Sequence, residues 1–190
     1  MWWYPTGPFT SLPIHAAGIY GVEDGERLSN YAVSSYTPTL NALLAPLPLA
    51  TNPLKMLAVI QPNTPGYAPL PSTYLELLKI EEHIPCHYLV KLGIPEAPAT
   101  VEKVISHLAT VSIIHLACHG VQDTKSPLES ALILDGGQKL KVSQIMEQHI
   151  PNALLAFLSG CETAMSNSRA IHPAASLLFA GFRGVVGTMW

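Results

Sequence analysis

The sequence predicts an α/β fold in which helices flank a mostly parallel β-sheet. Three short runs, residues 54–60, 111–117 and 153–158, are predominantly apolar, as in strands that are buried on both faces. Segments in which apolar residues follow helical spacing lie between strand-like runs. This alternation of strand and helix along a chain is typical of a parallel sheet that helices cover on both sides.

The composition indicates a folded chain with a large buried surface. Hydrophobic residues make up 48% of the 190 residues and charged residues only 12%, against a usual charged share of about 25%. This apolar content excludes a disordered tail. The net charge of −3 is too small to favour a polyanionic partner, so we expect no nucleic acid ligand.

We also expect no membrane partner and no secretory signal. Residues 171–182 are uncharged but contain a proline, and they are fewer than the about 20 apolar residues that a membrane span needs. The first residues lack a basic segment followed by a long apolar one. Cys86, Cys118 and Cys161 are odd in number and too few for a disulfide scaffold, so we interpret them as reduced thiols of a cytoplasmic protein.

The first elements in chain order are short. Residues 1–30 are rich in turn-forming proline and glycine, and within them residues 12–17 predict one short helix. Residues 31–36 combine β-branched and aromatic residues and predict a strand. Pro38 suits the first turn of a helical run over residues 39–44.

The regular strand and helix pattern follows. Residues 54–60 predict a strand, residues 62–71 a loop, and residues 72–83 a helix that Ser72 would cap. The remaining predicted elements are a strand at 87–92, a helix capped by Thr100 with Val101, Val104, Ile105 and Leu108 at helical spacing, strands at 111–117 and 131–134, a turn at 135–137, a helix within 140–148, a strand at 153–158, a helix at 170–182 and a strand at 184–190.

Two of the predicted buried strands end in a reactive side chain beside a glycine. His119 follows the strand at 111–117 and precedes Gly120, and Cys161 follows the strand at 153–158 and comes directly after Gly160. In open parallel sheets, ligands and chemistry gather outside the carboxyl ends of the strands. His119 and Cys161 could therefore meet in space, although each taken alone is also typical of a structural role.

Such a pair would suit nucleophilic catalysis. A cysteine is only a few per cent thiolate at neutral pH, and a nearby imidazole can take the thiol proton and later protonate a leaving amine. The oxyanion that develops on an attacked carbonyl needs preorganised N–H donors. The backbone N–H groups of Gly120 and Cys161 are the candidates for that role.

Other assignments fit less well. Cys118 adjoins His119, and neighbours in an extended chain point to opposite faces, so these two should not form a dyad. We interpret His115 as a core histidine that a neighbouring group satisfies. On a strand His115 and His119 would lie about 13 Å apart, too far for one metal ion, and we expect no metal. Neither a hydrolase nucleophile elbow nor a phosphate-binding loop matches the sequence.

The sequence resembles the CHAT domain family, a group of caspase- and separase-like cysteine peptidase modules. The motifs that carry the resemblance occur in the family's order from one end of the chain to the other. They are Trp3-Tyr4-Pro5-Thr6-Gly7-Pro8 with Leu12-Pro13-Ile14-His15-Ala16-Ala17-Gly18, Ser34-Ser35-Tyr36-Thr37-Pro38-Thr39-Leu40, His115-Leu116-Ala117-Cys118-His119-Gly120, Leu158-Ser159-Gly160-Cys161-Glu162-Thr163-Ala164, and Gly181-Phe182-Arg183-Gly184-Val185-Val186-Gly187-Thr188-Met189-Trp190.

This resemblance implies a caspase-like three-layer sandwich and a cysteine endopeptidase that hydrolyses peptide bonds through a thioester. It implies His119 as the catalytic histidine and Cys161 as the nucleophile, with no cofactor and a peptide or protein as substrate. Family members are often joined to tetratricopeptide repeats, so such repeats are expected in the full-length chain. We expect residues 1–190 to form a single CHAT domain that is truncated at its C-terminus. The sequence is also compatible with truncation at the N-terminus.

Two departures from the family pattern favour an alternative. The family usually has alanine where Gly160 stands and often glutamine where Glu162 stands, and an ionised carboxylate beside Cys161 would disfavour its thiolate. The alternative is a catalytically inactive CHAT scaffold that binds partners within a larger protein. No residue can be assigned to a specificity pocket from the sequence, and Asp123, Asp135 and Glu162 are only nearby candidates.

Overall fold

The computed structural model describes residues 1–37, 43–44, 54–148, 150, 152–160 and 173–187. The strands in these ranges are β1 (Trp2–Trp3), β2 (Ser35–Tyr36), β3 (Met56–Ile60), β4 (Leu89–Leu92), β5 (Ile113–Ala117), β6 (His119–Val121), β7 (Ala131–Ile133), β8 (Lys139–Lys141), β9 (Leu155–Leu158) and β10 (Gly184–Gly187). The helices are α1 (Ser72–His83), α2 (Val101–Leu108), α3 (Val142–Met146) and α4 (Pro173–Ala180).

A five-stranded sheet forms the centre of the fold. Its strand order is β10-β9-β5-β3-β4, and every neighbouring pair is parallel. The sheet and its flanking helices confirm the predicted α/β class and agree with the caspase-like three-layer sandwich that the resemblance implies. The three apolar runs of the sequence supply β3, β5 and β9, which lie side by side in the sheet.

The order of the strands determines which face each helix covers. Crossover connections between parallel strands are right-handed. From β3 the chain first moves to β4, at one edge of the sheet, and then moves in the opposite direction, through β5 and β9 to β10 at the other edge. Helix α1 therefore covers one face of the sheet, and α2 and α4 cover the other. The buried residues divide into two clusters in the same way.

The larger cluster lies on the face of α2 and α4. Alternate strand residues point into it, among them Val59, Leu116 and Leu158, and Leu108 of α2 and Leu177 of α4 pack against them. All five are at most 2% exposed. Burying one side chain of this size stabilises a fold by about 1.5–3 kcal/mol, so this cluster supplies much of the free energy of folding.

The smaller cluster lies on the face of α1 and leaves part of that face open. It joins Ala58 and Ile60 of β3 to Leu77 of α1 and Ala117 of β5. The sequence predicts β9 as a strand buried on both faces, and this is wrong for the described residues. On the α1 face of β9 and β10, the residues Leu155, Phe157 and Val186 are 39%, 41% and 47% exposed, because no described helix covers that half of the face. We call these three residues the open strip.

A second sheet follows β5 directly, and the sequence does not predict it as a separate sheet. Strands β6, β7 and β8 form an antiparallel three-stranded sheet, with Gly120 opposite Leu132 and Leu132 opposite Leu140. The predicted strand at 131–134 and the turn at 135–137 are confirmed as β7 and a 3-10 turn. The predicted helix within 140–148 begins only at Val142, because Leu140 pairs in β8 and is buried there.

The two predicted helix caps differ in outcome. Thr100 caps α2 as predicted, since its hydroxyl oxygen accepts a hydrogen bond from the N–H of Lys103 at 3.3 Å. The prediction of Ser72 as a cap of α1 is wrong, because Ser72 is already the first helical residue and Pro71 occupies the cap position. The hydroxyl of Thr73 instead donates to the carbonyl of Leu70 at 2.8 Å.

The N-terminal residues form shorter elements than predicted. The strand predicted at 31–36 is reduced to Ser35–Tyr36, which pairs in parallel with Trp2–Trp3. The helix predicted at 12–17 is a single 3-10 turn over Ile14–Ala16. The helical run at 39–44 lies mostly outside the described residues, as do residues 170–172 and 188–190 of the last predicted helix and strand. Among the described residues, no helix has the length and apolarity to cross a membrane.

Candidate active site

The segments that follow β5 and β9 start side by side at the carboxyl edge of the sheet. β5 ends at Ala117, and its neighbour β9 ends at Leu158. The ladder continues one residue further, because the N–H of Ser159 donates to the carbonyl of Leu116 at 2.8 Å. This edge is where open parallel sheets carry their ligands.

His119 is the first residue of β6, at this edge, and a loop carbonyl orients its ring. Nε2 lies 2.8 Å from the carbonyl oxygen of Ala68. Since a carbonyl only accepts, Nε2 carries the proton in the neutral ring, and Nδ1 is then the ring's acceptor nitrogen. The ring of Tyr67 packs beside that of His119, with 5.0 Å between the ring centroids.

The loop that supplies Tyr67 and Ala68 is tied at its base. It spans residues 62–70 between β3 and α1, and the N–H of Leu70 donates to the carbonyl of Pro62 at 2.8 Å. The sequence predicts this segment as a loop, and no motif in it indicates a role for Tyr67 or Ala68. A backbone carbonyl has no signature in the sequence, and the one available signal is that the loop leaves β3, the strand next to β5.

The other predicted site residues differ in how far they can be described. Gly120 is in β6, opposite Leu132 of β7. Gly160 is half-buried and follows Ser159. Cys161 and Glu162 lie outside the described residues, so the predicted dyad is described only on the side of His119.

Cys118 belongs to the core. It is 1% exposed and lies in the larger apolar cluster. Burial raises the pKa of its thiol to about 12, and a hydrogen bond from the backbone of Ile133 opposes this only in part. Cys118 is therefore neutral at physiological pH and unsuited to act as a nucleophile, in agreement with the expectation that it forms no dyad with His119.

A partly buried polar network lies next to the site, between α1, β5 and β9. Nε2 of His115 lies 2.8 Å from Oε2 of Glu76, and the hydroxyl of Ser159 donates to Oε1 of the same carboxylate at 2.9 Å. The ring of Phe157 stacks on that of His115, with 5.3 Å between centroids. The prediction that a neighbour satisfies His115 is confirmed, and that neighbour is Glu76.

This network is not a serine hydrolase triad. In such a triad the imidazole bonds to the serine hydroxyl and takes its proton, whereas here the carboxylate lies between the two and accepts from both. Burial lowers the pKa of His115, against the opposing charge and hydrogen bond of Glu76. The neutral ring donates its Nε2 proton to the carboxylate, because an ionised carboxylate can only accept.

Asp123 and Asp135, the two described residues among the candidates for a specificity pocket, have separate roles. Oδ1 of Asp123 accepts from the N–H groups of Lys125 and Ser126 at 2.9 and 2.8 Å, and these bonds lower the pKa of the Asp123 carboxyl. Its carboxylate therefore shapes a turn. Asp135 helps to line an open cavity of about 250 Å³ with Gln61, past the ends of β3 and β4.

Within the described ranges, no three histidine, cysteine or acidic side chains are grouped so that they could hold a metal ion. His115 and His119, which share the four-residue spacing noted above, contact different partners, Glu76 and the carbonyl of Ala68. The two histidines therefore share no hydrogen-bond partner.

Comparison with known proteins gives one finding about the family. The sequence model of the CHAT domain matches residues 1–190, the whole chain. No curated protein matches the chain. The sheet of five parallel strands, with helices on both faces and a histidine at the carboxyl edge, agrees with that match. The chain belongs to the CHAT domain family, whose members are generally caspase-like.

Proposed function

We propose that this protein is a cysteine endopeptidase of the caspase-like class, with His119 as the general base and Cys161 as the nucleophile. The observation that carries the proposal is the state of His119. Its Nε2 proton is committed to the carbonyl of Ala68, and the acceptor nitrogen Nδ1 is therefore available in the neutral ring for a thiol proton.

The course of β9 supports a meeting of the two side chains. Ser159 is bonded to Leu116 of β5, three residues before His119. Cys161 is two residues beyond Ser159, and two residues of chain span at most about 7 Å. The length of chain therefore allows Cys161 to lie at the same edge of the sheet as His119, which is what the proposed dyad requires.

The chemistry follows from these assignments. Nδ1 of His119 takes the proton of the Cys161 thiol, and the thiolate attacks the carbonyl carbon of the scissile bond. The N–H groups of Gly120 and Cys161 stabilise the resulting oxyanion. His119 then returns the proton to the leaving amine, the C–N bond breaks, and a thioester remains. Water, deprotonated by the same imidazole, hydrolyses the thioester and releases the acid and the free thiol.

The test is labelling of Cys161 in the full-length protein by an electrophilic peptide probe near neutral pH, located by peptide mass spectrometry. We expect selective labelling of Cys161 and a rate that falls by about 10²-fold or more in His119→Ala, the usual scale of general base catalysis. His87→Ala is the matched control, because His87 is exposed and lies just before β4, away from the carboxyl edge of the sheet that carries His119. Peptide hydrolysis should fall in parallel with labelling.

The alternative is a CHAT scaffold without catalysis, and two observations favour it. Glu162 is adjacent to Cys161 in the sequence, and an ionised carboxylate there opposes formation of the thiolate. The open strip also presents apolar side chains that a binding partner could cover. Failure of the probe to label Cys161 selectively, or equal labelling in His119→Ala, would favour the scaffold.

Further features are proposed from the sequence and its family resemblance rather than from the structure. The substrate is a peptide or protein, without any cofactor, and tetratricopeptide repeats elsewhere in the full-length chain present it to the site. Residues 1–190 act as one CHAT domain in a cytoplasmic protein. Sequencing of the full-length transcript would test the repeats and the limits of the domain, and fractionation of cells would test the compartment.

A further inference from the structure

The network of Glu76, His115 and Ser159 ties three elements together just before the predicted nucleophile. Glu76 is on α1, His115 is in the middle of β5, and Ser159 is the first residue after β9. Thirty-nine residues separate Glu76 from His115, and 83 separate it from Ser159. These contacts are therefore tertiary, and local chain geometry does not produce them.

Each oxygen of the Glu76 carboxylate has its own donor. Oε2 accepts from His115 and Oε1 accepts from Ser159, at 2.8 and 2.9 Å. Hydrogen bonds to an ionised carboxylate are stronger than bonds between neutral groups, and partial burial strengthens them further. Glu76 is held in place by His115, which is 7% exposed and stacked on Phe157. The imidazole thus fixes the carboxylate, and the carboxylate fixes the serine.

Ser159 is held from two sides. Its N–H donates to Leu116 of β5, and its hydroxyl donates to Glu76 of α1. The backbone bond continues the sheet, so it would hold the residue without any help from the side chain. The hydroxyl bond adds a second anchor in another direction, and it restricts how the chain leaves the sheet towards Gly160.

We propose that Glu76, His115 and Ser159 form a positioning network that fixes the exit of β9 and so sets the reactivity of Cys161, two residues further on. The proposal deepens the proposed function, on which it rests for the role of Cys161. Glu76 and Ser159 are positioning residues, because they act through the chain that carries the thiol.

The experiment compares Ser159→Thr with Ser159→Val in the full-length protein. The two side chains have nearly the same shape, and only threonine keeps the hydroxyl that donates to Glu76. A small neutral electrophile, iodoacetamide, labels the thiols, and peptide mass spectrometry gives the rate at Cys161 relative to Cys86. Cys86 is exposed and precedes β4, at the opposite edge of the sheet, so it serves as an internal reference.

We expect Ser159→Val to lower the labelling rate of Cys161 relative to Cys86 by about tenfold, which is the scale of one lost hydrogen bond to a charged group. Ser159→Thr should restore the rate of the original protein. A merely structural role of the side chain's bulk would affect both variants alike, because they have the same size. Equal rates in Ser159→Thr and Ser159→Val would overturn the proposal.

Variants of Glu76 test the connection between the three residues. Glu76→Ala should reproduce the effect of Ser159→Val, and the double variant should add nothing to it, because both changes break the same contact. Glu82→Ala is the matched control, since Glu82 is on the same helix but exposed and paired with Lys79. A double variant whose effect is the sum of the two single effects would contradict the network.

The outcomes separate this proposal from the proposed function. If the threonine and valine variants differ at Cys161 while His119→Ala has no effect on labelling or hydrolysis, the network stands and the peptidase does not. If His119→Ala abolishes labelling while the threonine and valine variants agree, the peptidase stands and the network does not.

Discussion

At the scale of single residues, a backbone carbonyl determines the proton pattern of His119. Ala68 lies 51 residues before it in the chain, and its carbonyl oxygen requires the proton on Nε2. The sequence predicts His119 itself, because a histidine beside a glycine after a buried strand is a recognisable pattern. It cannot predict Ala68, since any residue there offers the same carbonyl and only the course of the loop brings it to the ring.

For His115 as well, the sequence predicts the role of the residue but not its partner. The sequence indicates a core histidine, because His115 lies inside an apolar strand, and the structure confirms this with 7% exposure. The sequence does not predict its partner Glu76, since Glu76 is one of several acidic residues on α1. Only the flank of the helix that faces β5 distinguishes it from Glu81, which pairs instead with Lys91 of β4.

The thiols should differ sharply in reactivity. In the native protein at pH 8, we expect iodoacetamide to alkylate Cys86 and to leave Cys118 unmodified over the same period. Cys118 is 1% exposed, and its pKa of about 12 leaves about one thiol in 10⁴ ionised at that pH. Peptide mass spectrometry before and after denaturation in urea measures this, and denaturation should make the two rates similar. Equal native rates would contradict the burial of Cys118.

At the scale of elements, the sequence predicts the strands of the sheet better than the second, antiparallel sheet. Long apolar runs mark β3 and β5 because burial on both faces needs apolar residues throughout. Strands β6 and β8 are three residues each, and β8 reads Lys-Leu-Lys, in which one buried leucine is too little to indicate a strand. Pairing with β7 decides their conformation, and pairing is not visible in the sequence.

The junction between β3 and β4 should tolerate no side chain at Gly93. Gly93 follows β4 with φ of +88°, and a Cβ there would lie 1.6 Å from the carbonyl oxygen of Ile60. Gly136 is the matched control, because it has φ of +63° but nothing within 4 Å of an added Cβ. Gly136→Ala should lower the free energy of unfolding by about 1–2 kcal/mol, the cost of the left-handed backbone alone.

For Gly93→Ala we expect a loss of about 4 kcal/mol or more, because the backbone of β3 or β4 must also move. Urea denaturation of both variants beside the original chain measures the two values. If the two alanine variants cost the same, the close approach of Gly93 to Ile60 is wrong and only the positive φ matters.

At the scale of the whole molecule, the two faces of the sheet are unequal. The face of α2 and α4 buries the larger cluster, whereas on the other face α1 covers only the β3 and β5 half among the described elements. The sequence does not reveal this, since the run of β9 is apolar throughout and predicts burial on both sides. Glu76 lies on the flank of α1 where the covered half of this face meets the open strip. The polar network therefore lies along the edge of the smaller apolar cluster.

Because His115 joins α1, β5 and β9, its protonation should affect the stability of the whole fold. Burial lowers the pKa of His115 in the folded state, below the value of about 6.5 in the unfolded chain. Between these two pKa values the unfolded state binds more protons than the folded one, so the free energy of unfolding rises with pH there. The contribution of His115 to the free energy of unfolding should therefore be fully present above pH 6.5 and decrease as the pH falls below that value.

Urea denaturation between pH 5 and pH 8 tests this, with His115→Gln as the comparison. Glutamine keeps an N–H donor near the position of Nε2 and does not titrate, so the variant should lose the part of the slope that is due to His115. One proton contributes at most about 1.4 kcal/mol per pH unit. A titration of the ring by NMR in the original protein gives the folded pKa independently. If the ion pair with Glu76 outweighed burial, the pKa of His115 would be raised. The original protein would then gain stability relative to His115→Gln on acidification. That result would contradict a neutral imidazole as the donor to Glu76.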